Sequence, residues 1–326
     1  MGIHNEHKNY LVSVVIPVKN EVSKIKDCIN SILAQSISVV EIIILDSGST
    51  DGTIEILKSY SQVKLIQIEP AQFNHGNTRN LGVQHAIGDF VLLTVGDARA
   101  YNNTWIEELL NGFVDIDVVA VCGQQVVPHE MDKNPVDWFR PYSVPELVRY
   151  QFQESNAYLK LEPKEKQLLC GWDDVTAMYR REILLTQPFQ HVSYAEDAIW
   201  ANEALINGYA IVYNKKAKVF HYHNENAEFA FKRAFTTFYF RYKTFGVVPQ
   251  KQVLNTRRKI SILKSIIKGI GLQPYKTLKW YQYNVEYITA NIKAWKLFMK
   301  SLPKGSAYLD QIHEKYCGIP PIPSKN

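Results

Sequence analysis

Cysteine is scarce and scattered in this chain: Cys28, Cys122, Cys170 and Cys317 form no CxxC pair and no metal-ligand spacing. That excludes a disulfide framework and a thiolate metal site, and the expectation is inert thiols in a reducing cytosol. No uninterrupted run of eighteen apolar residues occurs, so no membrane-spanning helix is expected. The N-terminal stretch lacks the charged-then-apolar pattern of a secretion signal. Glycine is missing from the loop after the first apolar run, Pro17-Val-Lys-Asn-Glu21, which argues against a dinucleotide-dependent oxidoreductase, whose first βα turn needs G-x-G-x-x-G. Acid is missing from a long stretch. Phe229 to Val285 holds twelve Lys and Arg and no Asp or Glu, so against the net charge of +5 the rest of the chain carries −7 (5 − 12).

What is present reads as a large α/β chain. At 326 residues and 46% hydrophobic, it has length enough to bury a sizeable core. Leu11 to Pro17 is a β-branched run followed by Ile25, Cys28, Ile29, Ile32 and Leu33 at helix spacing. Val39 to Leu45 forms a second buried strand that stops at Asp46-Ser-Gly-Ser-Thr-Asp-Gly-Thr53, where Ser49, Thr50 and Asp51 offer N-caps for a helix over Ile54-Glu-Ile-Leu-Lys. Val63 to Ile68 is a third strand. Phe73 to Gly82 is a polar cluster leading into a short helix with Leu81, Val83, Ala86 and Ile87, and Phe90 to Val95 is a fourth strand that brings Asp97 to the edge of the sheet. Alternating strand and helix predict a mostly parallel sheet with right-handed crossovers. Val118 to Cys122 adds a further strand. The proline-rich stretch from Val126 to Leu169, with Pro128, Pro135, Pro141 and Pro145, reads as an excursion with one or two helices around Glu146 to Tyr158. Glu196 and Asp197 open a helix that Gly208 closes, and Ala210 to Tyr213 and Ala217 to Tyr222 read as a hairpin around Asn214-Lys-Lys.

Several residues carry possible chemistry, each beside a plainer role. Ligands of open α/β sheets bind outside the carboxyl ends of strands, so Asp97 is placed to hold a cation against a phosphate, or it is a turn aspartate. Glu196-Asp197 offers a general base on a rigid helix start, or merely acids favoured by exposed backbone N–H groups. His221 and His223 lie two apart and would share a strand face suited to a metal or phosphate, or to solvent. Asp46 offers an acceptor for a nucleobase N–H or caps a turn. Arg79 offers a planar fork for a diphosphate or pairs with a nearby Asp. Glu21, Asp46, Arg79 and Asp97 fall on loops at one sheet edge, a site for a charged, sugar-like or nucleotide-like ligand.

Val12-Ser-Val-Val-Ile-Pro-Val-Lys-Asn-Glu21, Leu45-Asp-Ser-Gly-Ser-Thr-Asp-Gly-Thr53, the strand ending at Asp97 and Tyr194-Ala-Glu-Asp-Ala-Ile-Trp200 together resemble a family 2 glycosyltransferase of the GT-A fold. Phe73-Asn-His-Gly-Asn-Thr-Arg-Asn80, Gly171-Trp-Asp-Asp-Val-Thr-Ala-Met-Tyr-Arg-Arg181 and Val219-Phe-His-Tyr-His223 resemble the bacterial rhamnosyltransferases of surface polysaccharide synthesis. The resemblance covers roughly Val12 to Arg241. It implies a mixed, mostly parallel GT-A sheet flanked by helices, a glycosyltransferase domain over 1–225 (a nucleotide-sugar half at about 10–125, an acceptor half at about 126–225) and a basic helical extension over 226–326.

It also implies an inverting transfer of a sugar, rhamnose-like and carried on deoxythymidine diphosphate, to a glycan or polyprenyl-linked acceptor. By residue, it implies that Asp46 reads the base and that Pro17, Glu21, Arg79 and Trp200 line the donor site. Asp97 and His221 would hold Mn²⁺ or Mg²⁺, with Asp97 matching the last aspartate of the family's DxD motif. Asp197, with Glu196, would be the catalytic base. The chain departs from the motif at Val95, where the family has its first aspartate. The alternative is a non-catalytic protein on the same fold that binds a nucleotide sugar or glycan.

The basic segment interleaves Phe229, Phe231, Phe235, Phe238, Tyr239 and Phe240 with Lys and Arg, then repeats Ile260, Leu263, Ile266, Ile267 and Ile270 at helix spacing. Basic amphipathic helices lie in membrane interfaces, so the expectation is peripheral attachment of a cytoplasmic protein to the anionic inner face of the cytoplasmic membrane. An ordinary helical layer packing its Ile and Phe is the other reading. No nucleic-acid module is recognisable, and no nucleic-acid partner is expected. The tail, Cys317 to Asn326, is proline-rich and expected to be loose.

Overall fold

A computed structural model describes residues 10–139 and 146–318. The beginning of the N-terminal stretch, Pro141, Pro145 and the tail after Gly318 lie outside the described residues. The chain divides into two compact units, Met1–Val126 with Ser143–His221, and Val127–Tyr142 with Tyr222–Asn326.

The first unit is built on one mixed sheet. Its strands are β1 (Val12–Val18), β2 (Glu41–Asp46), β3 (Val63–Gln67), β4 (Phe90–Leu93), β5 (Arg99–Ala100), β6 (Val118–Val126), β7 (Leu147–Tyr150), β8 (Ala177–Arg180) and β9 (Ala210–Phe220). They run in the order β3-β2-β1-β4-β8-β6-β9-β5, with β7 also on β9. The β3-β2-β1-β4 half is parallel, and β8 is inserted antiparallel between β4 and β6. β1, β2 and β4 are continuous apolar runs because both faces are covered: Val14, Val15, Ile16, Ile42, Ile43, Ile44, Leu92 and Leu93 are fully buried, each stabilising the fold by about 1.5–3 kcal/mol. The helices of this unit are α1 (Ile25–Leu33), α2 (Thr53–Lys58), α3 (His75–His85), α4 (Trp105–Leu110), α5 (Ser155–Leu159), α6 (Pro163–Leu169), α7 (Arg181–Thr186) and α8 (Glu196–Ile206). In α1 the buried residues Ile25, Cys28, Ile29 and Ile32 form a single stripe.

Three local expectations are corrected. The polar stretch after Phe73 is itself helical, since α3 starts at His75 with Asn74 as its cap, the Asn74 side chain accepting the Asn77 N–H at 3.1 Å. Leu147–Tyr150 is a strand rather than a helix, because it pairs antiparallel with β9 from Leu147↔Asn214 to Tyr150↔Ile211. Ala210–Phe220 is one strand and not a hairpin. Its partner β6 steps from Cys122↔Tyr213 to Gln124↔Lys218, so Asn214-Lys-Lys is an irregularity within the strand, held by the Asn214 side-chain N–H donated to the Glu108 carbonyl at 2.6 Å.

The second unit is helical: α9 (Ala227–Phe245), α10 (Thr256–Ile270), α11 (Pro274–Ser301) and α12 (Ser306–Cys317). Ile262, Ile266 and Ile270 of α10 pack with Trp280 and Ile288 of α11 and with Val127 and Trp138. Phe235 of α9 packs with Ala294, Phe298, Leu309 and Cys317, with Phe231, Phe238 and Tyr239 against them. Of the α9 aromatics, Phe235 is core, and Phe231, Phe238, Tyr239 and Tyr242 are half-buried against it. Among the described residues no helix is long and apolar enough to cross a membrane, and the four cysteines are free and buried.

Candidate active site

Asp97 and His221 meet because of strand register. Asp97 lies in the turn between β4 and β5, and β5 pairs antiparallel with the end of β9, Arg99 opposite Phe220. Extending that register places Ala98 opposite His221, and Asp97, one residue earlier in the turn, has its Oδ1 3.4 Å from His221 Nε2. β9 stops at Phe220, so His221 and His223 follow the strand rather than share a face of it. The other ring nitrogen, His221 Nδ1, is 2.6 Å from Gln125 Oε1. A carbonyl oxygen accepts, so Nδ1 donates in this contact, and Nε2 is the ring nitrogen that faces Asp97. The Gln125 amide in turn donates to Asp173. Lys24 Nζ reaches the other oxygen of Asp97 at 3.3 Å.

A carboxylate suits hard cations such as Mg²⁺ and Mn²⁺, and an imidazole suits the divalent transition metals. The 3.4 Å between Asp97 and His221 lies within the span of two ligands each about 2.1 Å from one ion. The residues present fit a divalent cation.

Asp46 ends β2 fully buried. Its Oδ2 accepts the N–H groups of Gly48 and Ser49, both at 3.1 Å, while Oδ1 has no hydrogen-bond partner. An orphan buried acceptor costs about 1–3 kcal/mol, so it marks a place for a donor. Pro17 sits beside it on β1, paired with Leu45. Glu21 follows in the loop, its N–H donated to Thr53 Oγ1 at 2.8 Å, and its side chain lies against Gly96, where an added Cβ would be 3.2 Å from Glu21 Cγ.

Arg79 lies on α3, which approaches the sheet closely. A Cβ on Gly82 would stand 2.3 Å from Val15 Cγ1, so only glycine lets the helix settle there. On the far side Asn80 exchanges hydrogen bonds with the backbone of Phe189, at 2.8 and 3.0 Å. Held this way, the Arg79 side chain is 5% exposed; its guanidinium bonds Glu196 and its Nε is 3.5 Å from Asp174 Oδ2. The fork anticipated for a diphosphate is directed at the protein's own carboxylates. Burial works against its charge, and Asp174, Glu196 and Asp197 outweigh that and hold its pKa up.

Glu196 and Asp197 begin α8 after Ala195, whose backbone is left-handed at φ 61°. Among the described residues Asn20, immediately before Glu21, is the other non-glycine residue with such a φ, 56°. Each costs about 1–3 kcal/mol, and each sets the direction of the acid that follows. Burial drives the Asp197 carboxyl well above the usual carboxylate range, helped by Asp174, Glu196 and Asp173 and opposed by Arg79. Asp174, also buried, is pushed up to about 7, with Arg79 and the Tyr179 hydroxyl pulling the other way. The Tyr179 hydroxyl bonds Asp174 and accepts the Trp172 indole N–H at 2.6 Å.

Trp200, expected to line the donor site, lies in the interior. It is fully buried, gives its indole N–H to the Gln187 carbonyl at 2.8 Å and packs edge-on to Tyr179, ring centres 4.7 Å apart. With its N–H and ring committed, it supports the helix that carries Glu196 and Asp197. Asp173, Asp174, Gln125 and Lys24 were not singled out from sequence. The adjacent acids of Gly171-Trp-Asp-Asp were the available signal.

The parts join. From Asp97 a polar track passes through His221 and Gln125 to Asp173, and from the adjacent Asp174 through Arg79 to Glu196. The arrangement offers an orphan acceptor at Asp46, a carboxylate and an imidazole at Asp97 and His221 close enough to share a cation, and a carboxylate of raised proton affinity at Asp197.

Comparison with known proteins follows the same outline. The family model described as glycosyl transferase family 2 matches residues 13–185. The O-antigen chain rhamnosyltransferase WbaN of Salmonella anatum is 34% identical over 203 residues, 60% of this chain and 61% of that protein, so the match spans less than two thirds of this relative. The O-antigen chain rhamnosyltransferase RfbN of Salmonella typhimurium is 29% identical over 232 residues, 69% of this chain and 71% of that protein. Among solved structures, the mannosyltransferase PcManGT from Pyrobaculum calidifontis, in complex with GDP-Man and Mn²⁺, superposes with a TM-score of 0.53 at 16% identity, covering 95% of this chain and 80% of that one. Residues 1–349 of S. aureus TarS with UDP-GlcNAc give 0.52 at 15% identity, covering 89% and 92%. At these identities the likeness concerns the fold, which is of the GT-A type.

Proposed function

The chain belongs to glycosyl transferase family 2, and from that premise we propose that it transfers a sugar, with inversion, from a nucleoside diphosphate donor to the hydroxyl of a glycan or polyprenyl-linked acceptor in surface polysaccharide synthesis. Its likeness to two O-antigen rhamnosyltransferases favours a rhamnose-like donor on deoxythymidine diphosphate. Such an acceptor puts the work at the inner face of the cytoplasmic membrane.

The observation that carries the reading is the continuous polar track from Asp97 to Glu196, next to Asp197. It links Asp97 and His221, the pair proposed to hold a cation, with the helix start that carries Asp197, the proposed base, although these residues lie far apart in the chain. Asp46 Oδ1, the buried acceptor with no partner, takes an N–H of the base, while Pro17 and Glu21 border it. Asp97 and His221 hold the divalent cation, Mn²⁺ or Mg²⁺, which when bound stabilises negative charge on the departing diphosphate. Asp197 accepts the proton of the acceptor hydroxyl as its oxygen bonds to the anomeric carbon and the carbon–phosphate-oxygen bond breaks. Its raised proton affinity suits a base working near neutral pH. Arg79, Asp174 and Glu196 position that base and set its charge.

The test is Asp197→Asn. Release of nucleoside diphosphate in the presence of acceptor should fall by about 10²–10⁴-fold, the usual contribution of a positioned base, while titration of the donor shows unchanged affinity. Turnover near that of the parent removes Asp197 from the role. Donor binding with no turnover in the parent chain, across donors and acceptors, would instead favour a non-catalytic binding protein.

A further inference from the structure

The corner where α10 meets α11 leaves apolar side chains uncovered. Leu272 is 83% and Tyr275 82% exposed, the two largest exposures among the large apolar side chains of the described residues, and Leu278, Ile260 and Leu263 continue the patch. Gly271, left-handed at φ 70°, ends α10, and Pro274 starts α11 three residues later, so Leu272 projects from a tight connection between two helices. Behind it, a groove of about 430 Å³ runs between the two helices, lined by Ile260, Leu263, Pro274, Leu278 and Tyr281. The inner face of α10 is already used, by Ile262, Ile266 and Ile270 in the core. The outer apolar residues are additional to what the fold needs.

Cations ring this corner. Lys259, Lys264, Lys268 and Lys279 are exposed and Lys276 half-buried, within a stretch of 57 residues, 229–285, that carries no acid. The acid that reaches it from elsewhere in the unit is Asp132, held below the usual carboxylate range first by Lys133 and more weakly by Lys279. An apolar tip inside a lysine ring matches the boundary between hydrocarbon and anionic headgroups. Nucleic acid would use the lysines but leave Leu272 and Leu278 in water.

We propose that the α10–α11 corner docks on an anionic phospholipid surface, with Leu272, Tyr275 and Leu278 entering the headgroup boundary and the surrounding lysines meeting phosphate. Of the α9 aromatics, by contrast, Phe235 is core, and Phe231, Phe238 and Tyr239 pack half-buried against it. The proposal rests on the surface alone and stands or falls separately from sugar transfer.

The full chain is floated with vesicles of phosphatidylglycerol or of phosphatidylcholine, with no donor present. It should float with phosphatidylglycerol and not with phosphatidylcholine. Raising the salt should weaken the partition, because exposed charges are screened beyond about 8 Å at physiological ionic strength. The double variant Leu272→Asp, Tyr275→Asp should lose at least about tenfold in partition, from the transfer energy of two apolar side chains. Lys264→Gln should lose about fivefold, near the usual contribution of one lysine at an anionic surface. All three positions are exposed, so circular dichroism and thermal melting should match the parent. Three results would overturn the proposal: no flotation with phosphatidylglycerol at low salt, flotation that the double variant leaves unchanged, or no flotation with a dimer that the double variant dissociates, which would make the corner a contact between copies. Capture by RNA with no lipid binding would equally assign it elsewhere.

Discussion

Replacing Arg79 by methionine isolates the charge that the buried cluster depends on. The Arg79 side chain is 5% exposed, with Asp174 at 0% and Glu196 at 9%. At the 3.5 Å separation from Asp174, an effective dielectric of about 20 gives an attraction of about 5 kcal/mol. Breaking a buried pair by removing one partner costs about 3–5 kcal/mol, since the other charge stays behind. The loss should depend on pH in a defined direction. In the folded protein Asp174 is raised from 3.8 to about 7, so the stability linked to its protonation is fully present below the unfolded value and is lost as pH rises through the folded one. Arg79 opposes that rise. Without it the folded value climbs further, and the variant is penalised most where the carboxyl would have to ionise. Urea unfolding of parent and variant at about pH 5 and about pH 8 reads the difference. The variant should lose about 3–5 kcal/mol at the higher pH and distinctly less at the lower. A loss that is equal at both, or below about 1 kcal/mol at the higher, the level of a solvent-exposed pair, would refute the idea of a buried cluster governed by Arg79.

The remaining expectations concern the site directly. The acid limb of the pH–rate profile for transfer should lie well above the range of an ordinary carboxylate, because burial and neighbouring acids raise Asp197; an inflection near pH 4, the value of an unperturbed carboxylate, would contradict this. Gln125→Leu removes the acceptor at His221 Nδ1 and should weaken Mn²⁺ binding by about 10–100-fold, as loss of a ligand-orienting partner does, measured by titrating the metal without substrate. Unchanged affinity would separate His221 from the metal. For Asp46, uridine or thymidine diphosphate should bind more tightly than cytidine diphosphate, since cytosine N3 has no hydrogen to offer Oδ1. Asp46→Ala should reduce that preference by about tenfold or more, a charged hydrogen bond contributing about 1.5–3 kcal/mol; a preference that survives the change would place base reading elsewhere.

The parts of the fold legible from sequence were those whose cause is local. β1, β2 and β4 announce themselves as apolar runs because both faces are buried, and the start of α8 is marked by its two acids. β7 was missed because Leu147–Tyr150 is too short to show alternation and becomes a strand only through β9. Asn214-Lys-Lys looks like a turn in any short window, and what keeps it in the strand is Glu108, 106 residues away.

The same division governs the site. The carboxylate of Asp46 is oriented by Gly48 and Ser49, two and three residues on, so the turn-capping half of its role is local and legible, whereas the unpartnered Oδ1 is seen only in the fold. Arg79 takes its direction from Asp174 and from Glu196, the latter 117 residues distant, and nothing near Arg79 distinguishes a guanidinium facing phosphate from one facing carboxylates. Trp200 follows from helix geometry once Glu196 is known to point inward. Four residues apart on α8 they share a face, and a face that buries Glu196 buries Trp200 too, whereas Asp197, one position round the helix, is only half-buried. Of the two acids that open α8, Asp197, the proposed base, is therefore the one that keeps part of its surface open.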